Sequence, residues 1–143
     1  MNVKQISVFI ENKKGRLARV TRILADNNID ISALSIADTT DFGILRLIVN
    51  NPDKAEQALK DNGFAVKATS VIAVGVNDEP GGLAVALEAL DAQDISIEYM
   101  YAFVGKTTNE ALVIIRADEA DKAIDVLTGC GVRVLTANQV YKL

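Results

Sequence analysis

Three glycines and two polar residues carry most of the chemistry this sequence offers. Gly15, Gly81 and Gly82 stand where a β-branched run gives way to helical spacing, and Asn12 and Asp78 lie three residues before Gly15 and Gly81. The first N–H groups of a helix have no partner within it and sit at the positive end of the helix dipole, so a helix start can hold a small anion such as a carboxylate. A glycine there lets a ligand approach the main chain. An amide oxygen at Asn12 or a carboxylate at Asp78 can accept hydrogen bonds from a cation, so the pattern suits the two ends of a free α-amino acid. A plain capped helix after a tight turn would show the same residues.

Catalysis has little else to work with. The chain contains no histidine, which removes the commonest general base and metal ligand. Cys130 lies between Gly129 and Gly131 with no imidazole to deprotonate it, and is expected to be a small buried filler rather than a nucleophile. The carboxylates fall mostly at helix caps or on polar helix faces. No Walker-type or dinucleotide glycine pattern is present, and no metal or cofactor is expected.

The glycine loop belongs to a duplication. Ile6 to Ile10 followed by Glu11-Asn12-Lys13-Lys14-Gly15-Arg16-Leu17 matches Ile72 to Val76 followed by Asn77-Asp78-Glu79-Pro80-Gly81-Gly82-Leu83, at a constant offset of 66 residues. The offset continues from Leu24 to Leu90, Ile29 to Ile95 and Ile31 to Ile97. A repeat of this length implies two similar units, residues 1–69 and 70–143. Each unit alone is small enough for its core to be marginal, so packing of the halves or dimerisation is expected.

Half of the 143 residues are apolar and 24% are charged, a globular composition. The net charge of -4, without a long basic run, argues against a nucleic-acid partner. A single cysteine allows no internal disulfide, and no apolar run approaches the roughly 20 residues that cross a bilayer. The N-terminal residues lack the apolar core of a signal peptide, so a soluble, cytoplasmic protein without membrane contact is expected.

In chain order, Val3 to Ile10 reads as a strand. Leu17, Val20 and Leu24 form one face of a helix that stops at Asn27-Asn28, and Ile29 to Ala37 and Ile44 to Val49 read as strands joined by a turn over Asp38 to Gly43. Asn51 and Pro52 open a second helix, Asn62-Gly63 closes it, and Phe64 to Thr69 is a fourth strand. The second half repeats the order. Its strands are Val71 to Val76, Ile95 to Phe103, Ala111 to Arg116 and Val132 to Val140, with a turn at Gly105 to Asn109 and a second helix capped by Asp118 and Asp121. With no linker between the halves, the sequence predicts an α+β fold of two βαββαβ, ferredoxin-like sandwiches, each with both helices on one face of a four-stranded antiparallel sheet.

The second strand of each unit slips phase once, from Ile29 and Ile31 to Leu34 and Ile36, and from Ile95 and Ile97 to Met100 and Ala102. A β-bulge near Ser32-Ala33 and near Glu98-Tyr99 would restore the register. Ile44 to Val49 and Ala111 to Ile115 are apolar at nearly every residue, so the sheet face away from the helices is expected to be covered.

Asp78-Glu79-Pro80-Gly81-Gly82-Leu83 resembles the Asp-Arg-Pro-Gly-x-Leu loop that opens ACT domains, and Asn28-Ile29-Asp30 resembles the start of that family's second strand, matched by Asp94-Ile95-Ser96. The resemblance covers the chain as two ACT units. It implies a stand-alone, non-enzymatic regulatory protein that binds a free amino acid and signals to a partner, as a homodimer or to an enzyme of amino-acid metabolism. The ligand contacts it implies are Asn12, Lys14, Gly15, Arg16 and Leu17 in the first loop, Asn77, Asp78, Pro80, Gly81, Gly82 and Leu83 in the second, and Ile29, Asp30, Ile95 and Ser96 at the strand starts. In the family the ligand usually touches the loop of one unit and the strand start of another. The first loop departs from the pattern, with Asn12 for the acid, Lys14 for the proline, and added charge at Lys13 and Arg16. A module without ligand that docks an enzyme is the alternative. An acylphosphatase-like enzyme is disfavoured because Asp78-Glu79 would repel phosphate.

Overall fold

The computed structural model describes residues 2–38, 41–105 and 109–143. The centres of the two expected turns, Thr39-Thr40 and Lys106 to Thr108, lie outside the described residues. The elements run β1 Val3–Glu11, α1 Arg16–Asp26, β2 Ile31–Asp38, β3 Phe42–Val49, α2 Pro52–Asp61, β4 Ala65–Asn77, α3 Gly82–Ala92, β5 Ile97–Ala102, β6 Glu110–Ala117, α4 Ala120–Gly129, β7 Arg133–Val134 and α5 Ala137–Tyr141. The chain divides into two compact units, one of Lys4–Thr69 with Tyr141–Leu143 and the other of Met1–Val3 with Ser70–Val140. They are two βαββαβ units with antiparallel sheets, and the predicted fold class holds.

In the first unit β3 lies between β1 and β2. Ile6 pairs with Leu47 and Val8 with Leu45, while Leu34 pairs with Leu47 and Ile36 with Leu45. The side chains of Ile6, Val8, Ile10, Leu45, Leu47 and Val49 meet Val20, Leu24 and Leu59 of the two helices in one buried cluster. The second unit repeats the plan. Val74 pairs with Val113 and with Val134, and Ile72 with Ile115, over a cluster that includes Ala86 and Leu90 of α3 and Leu127 of α4. The registers shift between Ile31 and Ala33 and between Ile97 and Tyr99, at the two predicted bulges. After the second, Met100 packs on the core, and the pleat turns Tyr99 and Tyr101 to the other face.

That other face is covered only in part. Gln5, Ser7, Ala33 and Ile48 are buried on it, with the Gln5 side-chain amide donating to Ser7 Oγ at 3.1 Å. Phe9 and Phe42, at its loop end, are 44% and 57% exposed.

All four long helices close alike. An N–H two residues past the cap returns to the last turn, from Ile29 to Leu24, Phe64 to Leu59, Ile95 to Leu90 and Val132 to Leu127. The residue before each has positive φ and is Asn28, Gly63, Asp94 or Gly131. At the start of α2 the predicted cap is present, Asn51 accepting from the Lys54 N–H at 3.3 Å.

Four expectations need correction. The strands expected at Phe64 to Thr69 and Val71 to Val76 are one 13-residue strand, β4, because no residue between them breaks an extended chain. The last strand is two residues long, and a short helix follows where the sequence reading extended the strand to Val140. Thr136 accepts from the Gln139 N–H while Gln139 accepts from the Thr136 N–H, a reciprocal capping box that starts that helix. The N-cap of α4 is Glu119, whose side chain makes no capping hydrogen bond, and Asp118 is engaged elsewhere. Cys130 is exposed, its thiol donating to the Leu127 carbonyl at 3.3 Å, so it is not a core filler.

Candidate functional site

The two glycine loops share one hydrogen-bond scheme. Lys13 N–H donates to the Glu11 carbonyl at 2.7 Å and Arg16 N–H to the Lys13 carbonyl at 3.3 Å; Glu79 N–H donates to Asn77 at 2.9 Å and Gly82 N–H to Glu79 at 3.0 Å. Across the hairpin, Asn12 N–H reaches the Asp41 carbonyl and Asp78 N–H the Asn109 carbonyl. Gly15 and Gly81 are the N-caps of α1 and α3, at φ of 87° and 88°, and neither helix start has a side-chain cap. Nothing would crowd a Cβ at either glycine, so the left-handed backbone alone selects the residue type. In each loop the turn takes the N–H of the first helical residue, Arg16 or Gly82, so the groups left for an anion are those of the next two residues, Leu17 and Ala18 or Leu83 and Ala84.

The loops differ in charge. Lys13 pairs with Glu11 at 2.9 Å, a contact that holds the Glu11 carboxyl below its usual range, and Lys14 and Arg16 add further positive charge. The second loop carries Asp78 and Glu79 instead, both exposed. Gly82, the counterpart of Arg16, has no room for a side chain, because a Cβ would overlap the Asn77 carbonyl. Asn12, Lys14 and Leu17 of the first loop and Asn77, Asp78 and Pro80 of the second are exposed, whereas Leu83 packs against its unit's core.

At the strand starts, Ile29 and Ile95 are buried in the cores and Asp30 and Ser96 are exposed. Each strand start is clamped by the end of a neighbouring strand. Asp30 N–H donates to Asn50 Oδ1 at 3.0 Å while Asn50 N–H returns to the Asp30 carbonyl at 3.2 Å; Ser96 and Asp118 repeat the exchange, both bonds 3.1 Å. A shallow pocket of about 280 Å³ lies over Asn28, Ile29 and Asp30, and one of about 380 Å³ over Asp94, Ile95 and Ser96. In each unit loop and strand start lie at opposite ends of an 11-residue helix, about 16 Å apart, so one small ligand cannot touch both within a unit.

Sequence reasoning missed a cleft in the second unit. About 350 Å³ in volume, it is walled by the loop from Asn77 to Gly82, by Cys130 and Gly131, and by Glu110 and Arg133. Arg133 Nε and Nη2 donate to Glu110 Oε1 at 2.9 and 2.6 Å, and this hydrogen bonding raises the guanidinium pKa further above its ordinary value. Gly75 in mid-strand was the available signal, since an isolated strand glycine marks a close approach. Its missing Cβ would stand 2.5 Å from Glu110 Oε2.

Among the described residues no group of His, Cys, Asp and Glu side chains is placed to hold a metal, and no helix is long and apolar enough to cross a membrane.

Two ferredoxin-like units in one chain, each opening on a glycine-capped helix and a clamped second strand, define a tandem α+β protein. The chain belongs to the ACT domain pair family, whose model matches residues 1–143. No curated protein matches it. Among solved structures, protein BT0572 from Bacteroides thetaiotaomicron is 50% identical, with a TM-score of 0.94 over 100% of this chain and 98% of that one. The regulatory subunit of aspartate kinase from Thermus thermophilus shares the fold at 20% identity and a TM-score of 0.64, over 90% of this chain and 92% of that one. The corresponding subunit from Thermus flavus does so at 18% and 0.62, over 91% and 93%.

Proposed function

We propose that the chain is a non-enzymatic regulatory protein that binds a free amino acid and passes the bound state to a partner, as a cytoplasmic homodimer. The ligand's carboxylate sits on the glycine loop of one ACT unit, and the second-strand start of another unit closes the site. The observation that carries the reading is the duplicated loop. The same turn, the same left-handed glycine and the same uncapped helix start occur twice. A left-handed glycine cap separates α1 and α3 from α2 and α4, whose caps Asn51 and Glu119 have negative φ, and it leaves the main chain bare to a ligand at those two helix starts alone among the four long helices. Signalling requires that the ligand bind two arrangements of the protein unequally. Because regulatory subunits of aspartate kinase share the fold, an enzyme of amino-acid metabolism is the partner we favour.

A thermal-shift panel of the twenty amino acids at millimolar concentration tests the reading, with the Gly81→Val variant alongside. A shift with one or a few related amino acids that disappears in the variant supports it. No shift with any of them sinks it. A second reading, an unliganded module that docks an enzyme, draws on the exposed Phe9 and Phe42. A stoichiometric enzyme in pull-downs, indifferent to every amino acid, would favour that one.

A further inference from the structure

The duplication allows each position of one sheet to be compared with its counterpart in the other. Phe42 and Glu110 are the first residues of β3 and β6, paired across to Glu11 and Asn77. Phe9 corresponds to Gly75, which face Ile44 and Leu112 in their respective hairpins. Ala65 corresponds to Arg133, each two residues past the left-handed glycine that ends the preceding helix. The loop end of the first sheet therefore carries Phe9, Phe42 and Ala65, and that of the second carries Gly75, Glu110 and Arg133.

The second set fits together as a unit. Arg133 pairs directly with Gly75 across the β4–β7 ladder, so the glycine opens the space that the Glu110 carboxylate fills. The resulting ion pair is neither buried nor free in solvent, with side chains 45% and 29% exposed, and it forms one wall of the cleft beside the Gly81 helix start. Glu110 accepts from the Nε–H and from one hydrogen of Nη2. A guanidinium has five N–H donors, so three remain, and Nη1 and Nη2 together can take a carboxylate through two parallel bonds. An anion seated there also lies next to the Glu110 charge. A ligand with its own cation beside the carboxylate offsets that repulsion, and a simple carboxylic acid does not.

We infer that Arg133 and Glu110 are the pair that recognises the zwitterionic head of a free α-amino acid, and that the second unit alone holds this site. The inference rests on the amino-acid-binding reading and adds the residues, the ligand's required charges and the stoichiometry. Arg133 joins the glycine loop in holding the carboxylate, and Glu110 lies against the ammonium group. The first unit, with two phenylalanines and an alanine in the corresponding places, has no charge to offer there.

Calorimetric titration of the intact chain with the best-binding amino acid, and with the desamino acid that carries the same side chain, tests this. One molecule per chain is expected, with the desamino acid about tenfold weaker or worse. Arg133→Met should weaken the amino acid by at least about tenfold, and Arg133→Lys, which keeps the charge but not the fork, by at least about threefold. Glu110→Gln should bring the amino acid and its desamino analogue to within about threefold of each other, a change of preference that damage to folding would not produce. Arg22→Met, on the exposed face of α1, serves as the charge control and should change nothing. If the Arg133 variants bind as the parent does while Gly81→Val does not, the amino acid sits on the loop without the pair; the inference fails and the broader reading stands. Two equal sites per chain overturn the inference in the same way. No binding by the parent chain overturns both.

Discussion

The carbonyl oxygen of Asn77 occupies the space that a Cβ on Gly82 would need. Residue 82 is therefore fixed as glycine by its neighbour across the loop, while Gly81 is fixed by its own φ of 88°. Gly82→Ala should lower the unfolding free energy by about 1–3 kcal/mol through overpacking, read by urea denaturation. Arg16, the counterpart in the first loop, should accept Ala at little cost. Equal losses at the two positions would mean that the loops tolerate a side chain alike.

The left-handed helix ends give a graded prediction. Gly131 has φ of 85° and open space around it, so Gly131→Ala should cost about 1–2 kcal/mol in backbone strain alone. Gly131→Asn should cost less, since Asn28 holds the same place at φ of 57° after α1. Thermal unfolding of the two variants checks the order.

Asp118→Ala removes the acceptor that holds the Ser96 N–H. A loss of about 1 kcal/mol is expected, with faster hydrogen exchange at the Ser96 amide. Asn50→Ala should do the same at Asp30 in the first unit.

The ion pairs around α2 predict a pH response. Lys60 hydrogen-bonds Glu56, Lys4 does so as well, and together they hold the Glu56 carboxyl below its usual 4.5. A depressed carboxyl contributes stability that is present above the unfolded value and is lost as pH falls through the folded one. Lys4, raised above 10.5 chiefly by its hydrogen bond to Asp53, contributes below that value and loses its contribution as pH rises past the folded one. Stability should thus decline on the acid side below about pH 4.5, and Glu56→Gln should flatten that decline. An unchanged acid limb in Glu56→Gln would place the titrating groups elsewhere.

What could be read in advance was local or repeated. Gly15 and Gly81, the two bulges, the Asn51 cap and the Gly63 helix end each leave a mark within a few residues, and the 66-residue repeat showed most of them twice. The short helix at the C-terminus was also legible, in the Thr136 and Gln139 capping box, but the β-branched run before it drew the strand too far. β4 escaped because the absence of a breaker at Ser70 reads equally as one strand or two. The Glu110–Arg133 pair was illegible for a different reason. Its members are 23 residues apart on strands that flank β4, and only sheet order brings them together. Gly75 was the single local trace of it.

Gly75 also limits the order in which the two halves can have diverged. With a larger side chain at residue 75, the Glu110 carboxylate must swing out of the place it holds against Arg133, and the guanidinium then loses its anchor. The loss of a side chain at residue 75 is thus the permissive step for this particular pairing. Conversely, placing glutamate and arginine at the exposed residues 42 and 65 of the first unit should reproduce the pairing only when residue 9 is glycine as well.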